Sequence, residues 1–204
     1  MPYLARGKQN DTLKNYCATH YPDAKNDLAN VFLERCLELS RAGGQGVVQI
    51  VMPQNWLFLT SYKKQRESLL QRVQWNLLAR LGPGAFETIS GEVVQAVLLT
   101  QTRAPAAAGF QLRGVDASAP RSAIEKAESL TTVGLMAVSQ HAQLANPDSV
   151  VSFESVQSDS MLSDLAESFT GAHTLDMNRF RFNFWEIAKF EKWCFHMRDR
   201  KSVV

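Results

Sequence analysis

Residues 27–70 read DLANVFLERCLELSRAGGQGVVQIVMPQNWLFLTSYKKQRESLL, and the order of patterns in them decides the fold class. Leu28, Val31, Phe32, Cys36 and Leu39 recur at the spacing of an amphipathic helix, with Asp27 placed to cap its start. Arg41 falls in the expected last turn, and Gly43-Gly44 is the expected stop. GVVQIVMP then runs with a single polar side chain, is rich in β-branched residues and halts at Pro53. That pattern predicts a buried strand of a parallel sheet. Trp56, Leu57 and Phe58 follow in a loop, where Trp56 and Phe58 are expected to anchor helix packing. Thr60 or Ser61 is placed to cap a second helix, SYKKQRESLLQR.

Outward from this stretch, residues 4–26 are polar and carry turn signals (Gly7, Asn10, Asp11, Pro22, Asp23), which predicts a loop. On the other side, VQWNLLARLG and EVVQAVLLTQTR read as strands. The turn-rich segment PGAFETISG joins them, so they are expected to form an antiparallel edge hairpin. Helices alternating with buried strands mean an α/β layered sheet. The Ala-, Pro- and Ser-rich segment RAPAAAGFQLRGVDASAPRSA reads as a linker. SAIEKAESL and VGLMAVSQHAQL read as helices, DSMLSDLAESFTG contains a further short helix, and NRFRFNFWEIAKFEKWCF is dense in aromatics. The expected organisation is a sheet domain over residues 1–104, then a linker and a mainly helical region over 105–204.

Bulk properties set limits. The 204 residues are 45% hydrophobic and 21% charged with a net charge of +2, ordinary for a globular protein able to bury a core. Cys17, Cys36 and Cys194 are scattered without metal-ligand spacing, as expected of free thiols in a reducing compartment. No apolar run approaches the roughly 20 residues of a membrane span, and no targeting signal is visible. A soluble, cytoplasmic protein is expected. Charge is unevenly placed: residues 61–80 hold five basic side chains against one acid, 145–177 hold six acids and no Lys or Arg, and 178–201 hold seven basic residues against three acids. The alternation suits either a polarised surface that steers a polyanion or ordinary solvated helix faces. His20, His141, His173 and His196 show no metal-ligand spacing. There is no glycine-rich dinucleotide turn, no P-loop, no nucleophile elbow and no paired-carboxylate signature.

Four blocks in order carry a resemblance: PYL at the start, the 27–70 stretch, GAFETISGEVVQAVLLT, and GAHTLDMNRFRFNFWE. Together they resemble the adenine-specific DNA methyltransferases of restriction-modification and phage-defence (BREX-type) systems. In that family a strand ends in an Asn-x-Pro-Tyr catalytic motif, and Pro2 and Tyr3 match its last two residues. The resemblance implies the C-terminal half of a Rossmann-like methyltransferase sheet, with the motif's Asn and the cofactor-binding half preceding this sequence. It implies S-adenosylmethionine as methyl donor and double-stranded DNA as partner, with a separate N-terminal methyltransferase fragment or defence-system subunits as further partners. An adenine methylated at its exocyclic amine must leave the duplex. By the resemblance Pro2 offers its carbonyl to that amine and Tyr3 stacks on the base, which is worth roughly 1–3 kcal/mol. Phe86 matches the family's second aromatic wall; its other reading is a plug at the sheet edge. Lys63, Lys64 and Arg66 are candidates for phosphate contacts or for a solvated helix face. Gly171, Thr174, Asp176, Arg179 and Phe180 match the element before the family's target-recognition region, with Leu175 in place of a second glycine. Arg179 and Arg181, with Phe180, Phe182 and Trp185, suit either a basic-aromatic DNA surface or a half-buried strand. The alternative to the enzyme is a non-catalytic DNA-binding or interaction remnant of one.

Overall fold

The computed structural model describes residues 2–86 and 94–153. The expectations placed on 154–204, including Arg179, Arg181 and the 171–186 block, lie outside the described residues. Within them an N-terminal helix α1 (Asp11–His20) precedes α2 (Leu28–Leu39), β1 (Val47–Pro53), α3 (Lys63–Arg72), β2 (Gln74–Gly82) and β3 (Ala96–Thr102). Then come β4 (Gln111–Asp116), α4 (Ala123–Thr132) and β5 (Met136–Ser139). The five strands form one mixed sheet in the order β1-β3-β2-β4-β5.

Helix α1 corrects the loop expected over 4–26. Asn10 and Asp11 are turn formers that here act as a helix start: the Asn10 side chain accepts a hydrogen bond from Leu13 N–H at 2.9 Å. Cys17 and Tyr21 then pack with Ala24 and Val31 in a small core of their own. Helix α2 is capped by Asp27 as expected. It stops at Leu39, however, where Ser40 turns extended and its hydroxyl donates to Leu37 C=O at 2.8 Å. Arg41 and the two glycines therefore lie beyond it, with Gly43 and Gly44 in the left-handed region at φ 74° and 83°. Neither Thr60 nor Ser61 caps α3. Its N-cap is Tyr62, without a side-chain bond, and the Thr60 hydroxyl instead donates to Asp148 at 2.8 Å.

The strand expected to be parallel and buried, β1, is antiparallel to β3 and lies at the edge of the sheet. Its alternating burial fits that position: Val48, Ile50 and Met52 face the core, while Val47 and Gln49 are exposed. β2 and β3 pair antiparallel as expected, and each has a further neighbour on its other side. β4 arises in the segment read as a linker. Leu112 and Val115 alternate inward there, and the strand runs parallel to β2. β5 arises in the segment read as helical, where Met136–Ser139 pairs antiparallel with β4 and only a 3-10 turn, His141–Ala145, follows. In both places cross-strand partners outweighed a weak local pattern.

α2 and α3 contribute Leu33, Leu37, Leu69 and Leu70 to one core with Ile50, Met52, Leu78, Val97, Leu99 and Leu112. Trp56 and Trp75 meet at its centre with ring centroids 5.5 Å apart. Trp56 is fully buried, as an anchor should be, whereas Phe58 is 45% exposed and anchors nothing. Buried Gln140 pins the α3–β2 junction: its amide donates to Leu70 C=O and Val73 C=O, both at 2.8 Å, and accepts from Trp75 N–H at 2.8 Å. Among the described residues no helix is long and apolar enough to cross a membrane.

Candidate active-site cleft

The pairing directions bring the carboxyl ends of β1, β2 and β4 to one end of the sheet, together with the start of β3. That is the end where ligands bind in open α/β sheets. β1 stops there because Pro53 offers no N–H to continue the ladder. The chain turns through a 3-10 segment, Gln54–Leu57, held by Gln54 N–H donating to Gln95 C=O at 2.7 Å. Asn55 C=O accepts from Phe58 and Leu59 N–H at 3.2 and 3.0 Å.

The N-terminal residues are tied to the same place. Ala5 bridges to Asp27, Leu4 C=O accepts from Leu28 N–H at 3.1 Å, and Arg6 N–H donates to Asn26 C=O at 2.9 Å. Gln9 closes the loop through its side chain, which donates to Leu4 C=O at 3.0 Å. Tyr3 is thereby held half-buried in a cleft of about 350 Å³ that Lys8, Asp27, Pro53, Asn55 and Gln95 also line. Asp27 spends one carboxylate oxygen on the α2 cap, accepting from Ala29 N–H at 2.9 Å. Burial, and then the Asp27 charge, push the Tyr3 phenol above its ordinary range. The same two causes take Tyr62 up to about 12. Tyr3 is accordingly a neutral ring at neutral pH, suited to stacking rather than to proton abstraction.

A second cleft of about 310 Å³ shares Gln54's turn and Gln95 and is lined by Leu57, Phe58, Arg80 and Phe153. Arg80 is held at its base by Asp116, 3.3 Å away. With its amide oxygen facing Arg80, Gln54 accepts two further bonds at 3.0 and 3.1 Å. Burial works against the Asp116 charge, but two bonds from Ser118 and the Arg80 guanidinium outweigh it and hold the carboxyl below its usual range. Behind this, buried Lys126 donates to the carbonyls of Leu81 (2.6 Å), Ala117 (3.3 Å), Ser118 (3.4 Å) and Pro120. Burial pushes its ammonium pKa down.

The expected site residues separate. Pro2 is exposed and Tyr3 lines the cleft. Phe86 does not line it; it packs, half-buried, against the cluster of Leu81, Ala96 and Ala117 at this end of the sheet. Lys63 is half-exposed and lies 3.3 Å from Asp148, and Lys64 is exposed. Arg66 corrects the expectation of a phosphate contact. It is fully buried, and its guanidinium donates to the carbonyls of Trp56, Leu59 (2.7 Å), Asp148 (2.8 Å) and Ser149 (3.2 Å). The alternative expectation, a solvated helix face, fails for the same reason: the 3-10 turns that carry these carbonyls fold over Arg66 and bury it. Lys8, Asn55 and Gln95 were not singled out from the sequence. The one available signal was that Asn55 follows directly on a strand's carboxyl end.

The described residues do not form a site for S-adenosylmethionine. The two positive-φ glycines at this end of the sheet close onto protein instead of opening to a ligand. A Cβ on Gly82 would meet Ser118 at 2.8 Å, and one on Gly84 would meet Arg121 C=O at 2.2 Å.

Known proteins resemble parts of this chain. Residues 2–84 match the family described as Eco57I restriction-modification methylase. The chain is 38% identical over 96 residues, 46% of its length, to the adenine-specific methyltransferase PglX of Lacticaseibacillus casei (strain Zhang). It is 38% identical over 94 residues, also 46% of its length, to the adenine-specific methyltransferase BrxX of Escherichia coli (strain HS). The chain spans only about 8% of the length of each of these relatives. Among solved structures, the type IIG restriction endonuclease BpuSI superposes on 73% of this chain and 19% of its own, at 18% identity and a TM-score of 0.50. That likeness shows a shared α/β fold.

Proposed function

We propose, from the match of residues 2–84 to the Eco57I restriction-modification methylase family, that this chain forms the base-holding part of an adenine-specific DNA methyltransferase. One observation carries the reading: Tyr3, second of the two residues that match the catalytic motif, lines a cleft at the carboxyl end of β1 beside Pro53 and Asn55. In this reading an adenine extruded from duplex DNA enters the cleft and stacks on the Tyr3 ring. The Pro2 carbonyl accepts a hydrogen bond from its exocyclic amine and so orients the nitrogen lone pair. S-adenosylmethionine would supply the methyl group, held by residues other than those described.

The test is methyl incorporation from labelled S-adenosylmethionine into duplex DNA. The chain is mixed with a polypeptide carrying the glycine-rich half of a related methyltransferase. Label in adenine that falls at least 100-fold in Tyr3→Ala supports the reading. Label in cytosine, or label in adenine that is indifferent to Tyr3→Ala, refutes it. Binding of DNA by the chain with no incorporation under any pairing would favour the non-catalytic remnant.

A further inference from the structure

The cleft that holds Tyr3 contains more than a stacking ring. Lys8 is the one cation among the described residues that line it, and its ammonium forms no ion pair or hydrogen bond there. Asn55 and Gln95 line it with side-chain amides that are likewise unengaged. Of the two, Asn55 has the more fixed position: its own carbonyl accepts two main-chain bonds, and its turn follows directly from β1. It also has the shorter side chain, so less rotamer freedom is lost when it engages a ligand.

An aromatic ring, a primary amide carried on a fixed turn and a lone ammonium around about 350 Å³ match the three parts of one nucleotide. A ring stacks on any base. An amide sets a donor beside an acceptor, the pattern presented by the amine and adjacent ring nitrogen of adenine. An ammonium neutralises a phosphate without reading sequence. We infer that Asn55 reads the edge of the bound adenine while Lys8 holds its phosphate, making Asn55 the specificity-determining side chain of this chain. The inference rests on the adenine-binding reading above and adds the residues that would enforce it. Asp27, a carboxylate on the same cleft, disfavours an anion on its own wall and leaves Lys8 as the phosphate position.

The test is direct binding of mononucleotides to the full chain, followed by saturation-transfer NMR titration with deoxyadenosine monophosphate, thymidine monophosphate and deoxyadenosine. The expected result is about a tenfold preference for the adenine nucleotide over the thymine nucleotide. Asn55→Leu should reduce it below about twofold, with thymine binding unchanged. Lys8→Ala should weaken the monophosphate about fivefold and leave the nucleoside unchanged. Asn55→Asp, which keeps the shape but loses the amide donor, should also lose the preference, so a folding defect in one variant does not decide the matter. Equal binding of the two nucleotides by the parent chain, or a preference that survives both Asn55 variants, overturns the inference. The methyltransferase reading fails separately: nucleotide preference could hold while no label reaches DNA adenine.

Discussion

Replacing Arg66 by methionine keeps most of the side chain's volume and removes its guanidinium. Four carbonyls, buried for Trp56 and Ser149 and partly buried for Leu59 and Asp148, then lose their donor together. A hydrogen bond to a charged group contributes about 1.5–3 kcal/mol net, and leaving a buried acceptor unpaired costs about 1–3 kcal/mol. These terms are not additive, because the freed turns relax toward water. Breaking a buried charged network typically costs about 3–5 kcal/mol, and that is the expected loss. Against a total of about 5–15 kcal/mol for a domain it is a large share. With a urea dependence of about 1–3 kcal/mol per molar, the midpoint should fall by about 2 M, followed through tryptophan fluorescence. Arg72→Met is the control, since it breaks a surface pair with Glu34 and should cost less than about 1 kcal/mol. Arg66→Lys should recover only part of the loss, because an ammonium cannot fork toward four acceptors. A loss in Arg66→Met no larger than in the Arg72 control would refute the assignment of Arg66 as an internal staple.

Gln101 is fully buried with neither amide atom hydrogen-bonded, so Gln101→Met should stabilise by about 1–2 kcal/mol in the same assay; a loss would mean the amide has a partner. Tyr62 carries a pKa of about 12 against an ordinary 10.0. The folded chain therefore keeps a proton that the unfolded chain loses, and stability should fall as pH rises from 10 toward 12, by roughly 2–3 kcal/mol in all. Urea midpoints across that window should flatten in Tyr62→Phe, and an unchanged slope would place the titration elsewhere. Gly84→Ala meets both a positive φ of 75° and the Arg121 carbonyl at 2.2 Å; it should cost more than about 1 kcal/mol, and a neutral thermal melt would show that this turn rearranges freely.

Helix α2, strand β1 and helix α3 are determined by short-range pattern. Apolar spacing, the Asp27 cap and Pro53 act within a few residues, so the sequence alone is enough for their existence, though not for the end of α2, the cap of α3 or the antiparallel edge position of β1. β2 and β3 likewise declare themselves as strands by their short apolar runs. The matches to Pro2 and Tyr3 also needed no coordinates, because a motif is a local string. Tertiary structure decided what depends on distant partners. Segment 111–116 has too few apolar residues and 136–139 is too short to declare itself, and they become strands only because β2 offers β4 a parallel partner and β4 then offers β5 an antiparallel one. Arg66 reads as a wet cation until residues 83 positions away fold over it. Lys8, Asn55 and Gln95 sit on three separate segments and converge only because the sheet brings the end of β1 and the start of β3 together with the N-terminal loop. A chemical site made by convergence has no spacing in the chain, and so only the folded chain assembles it.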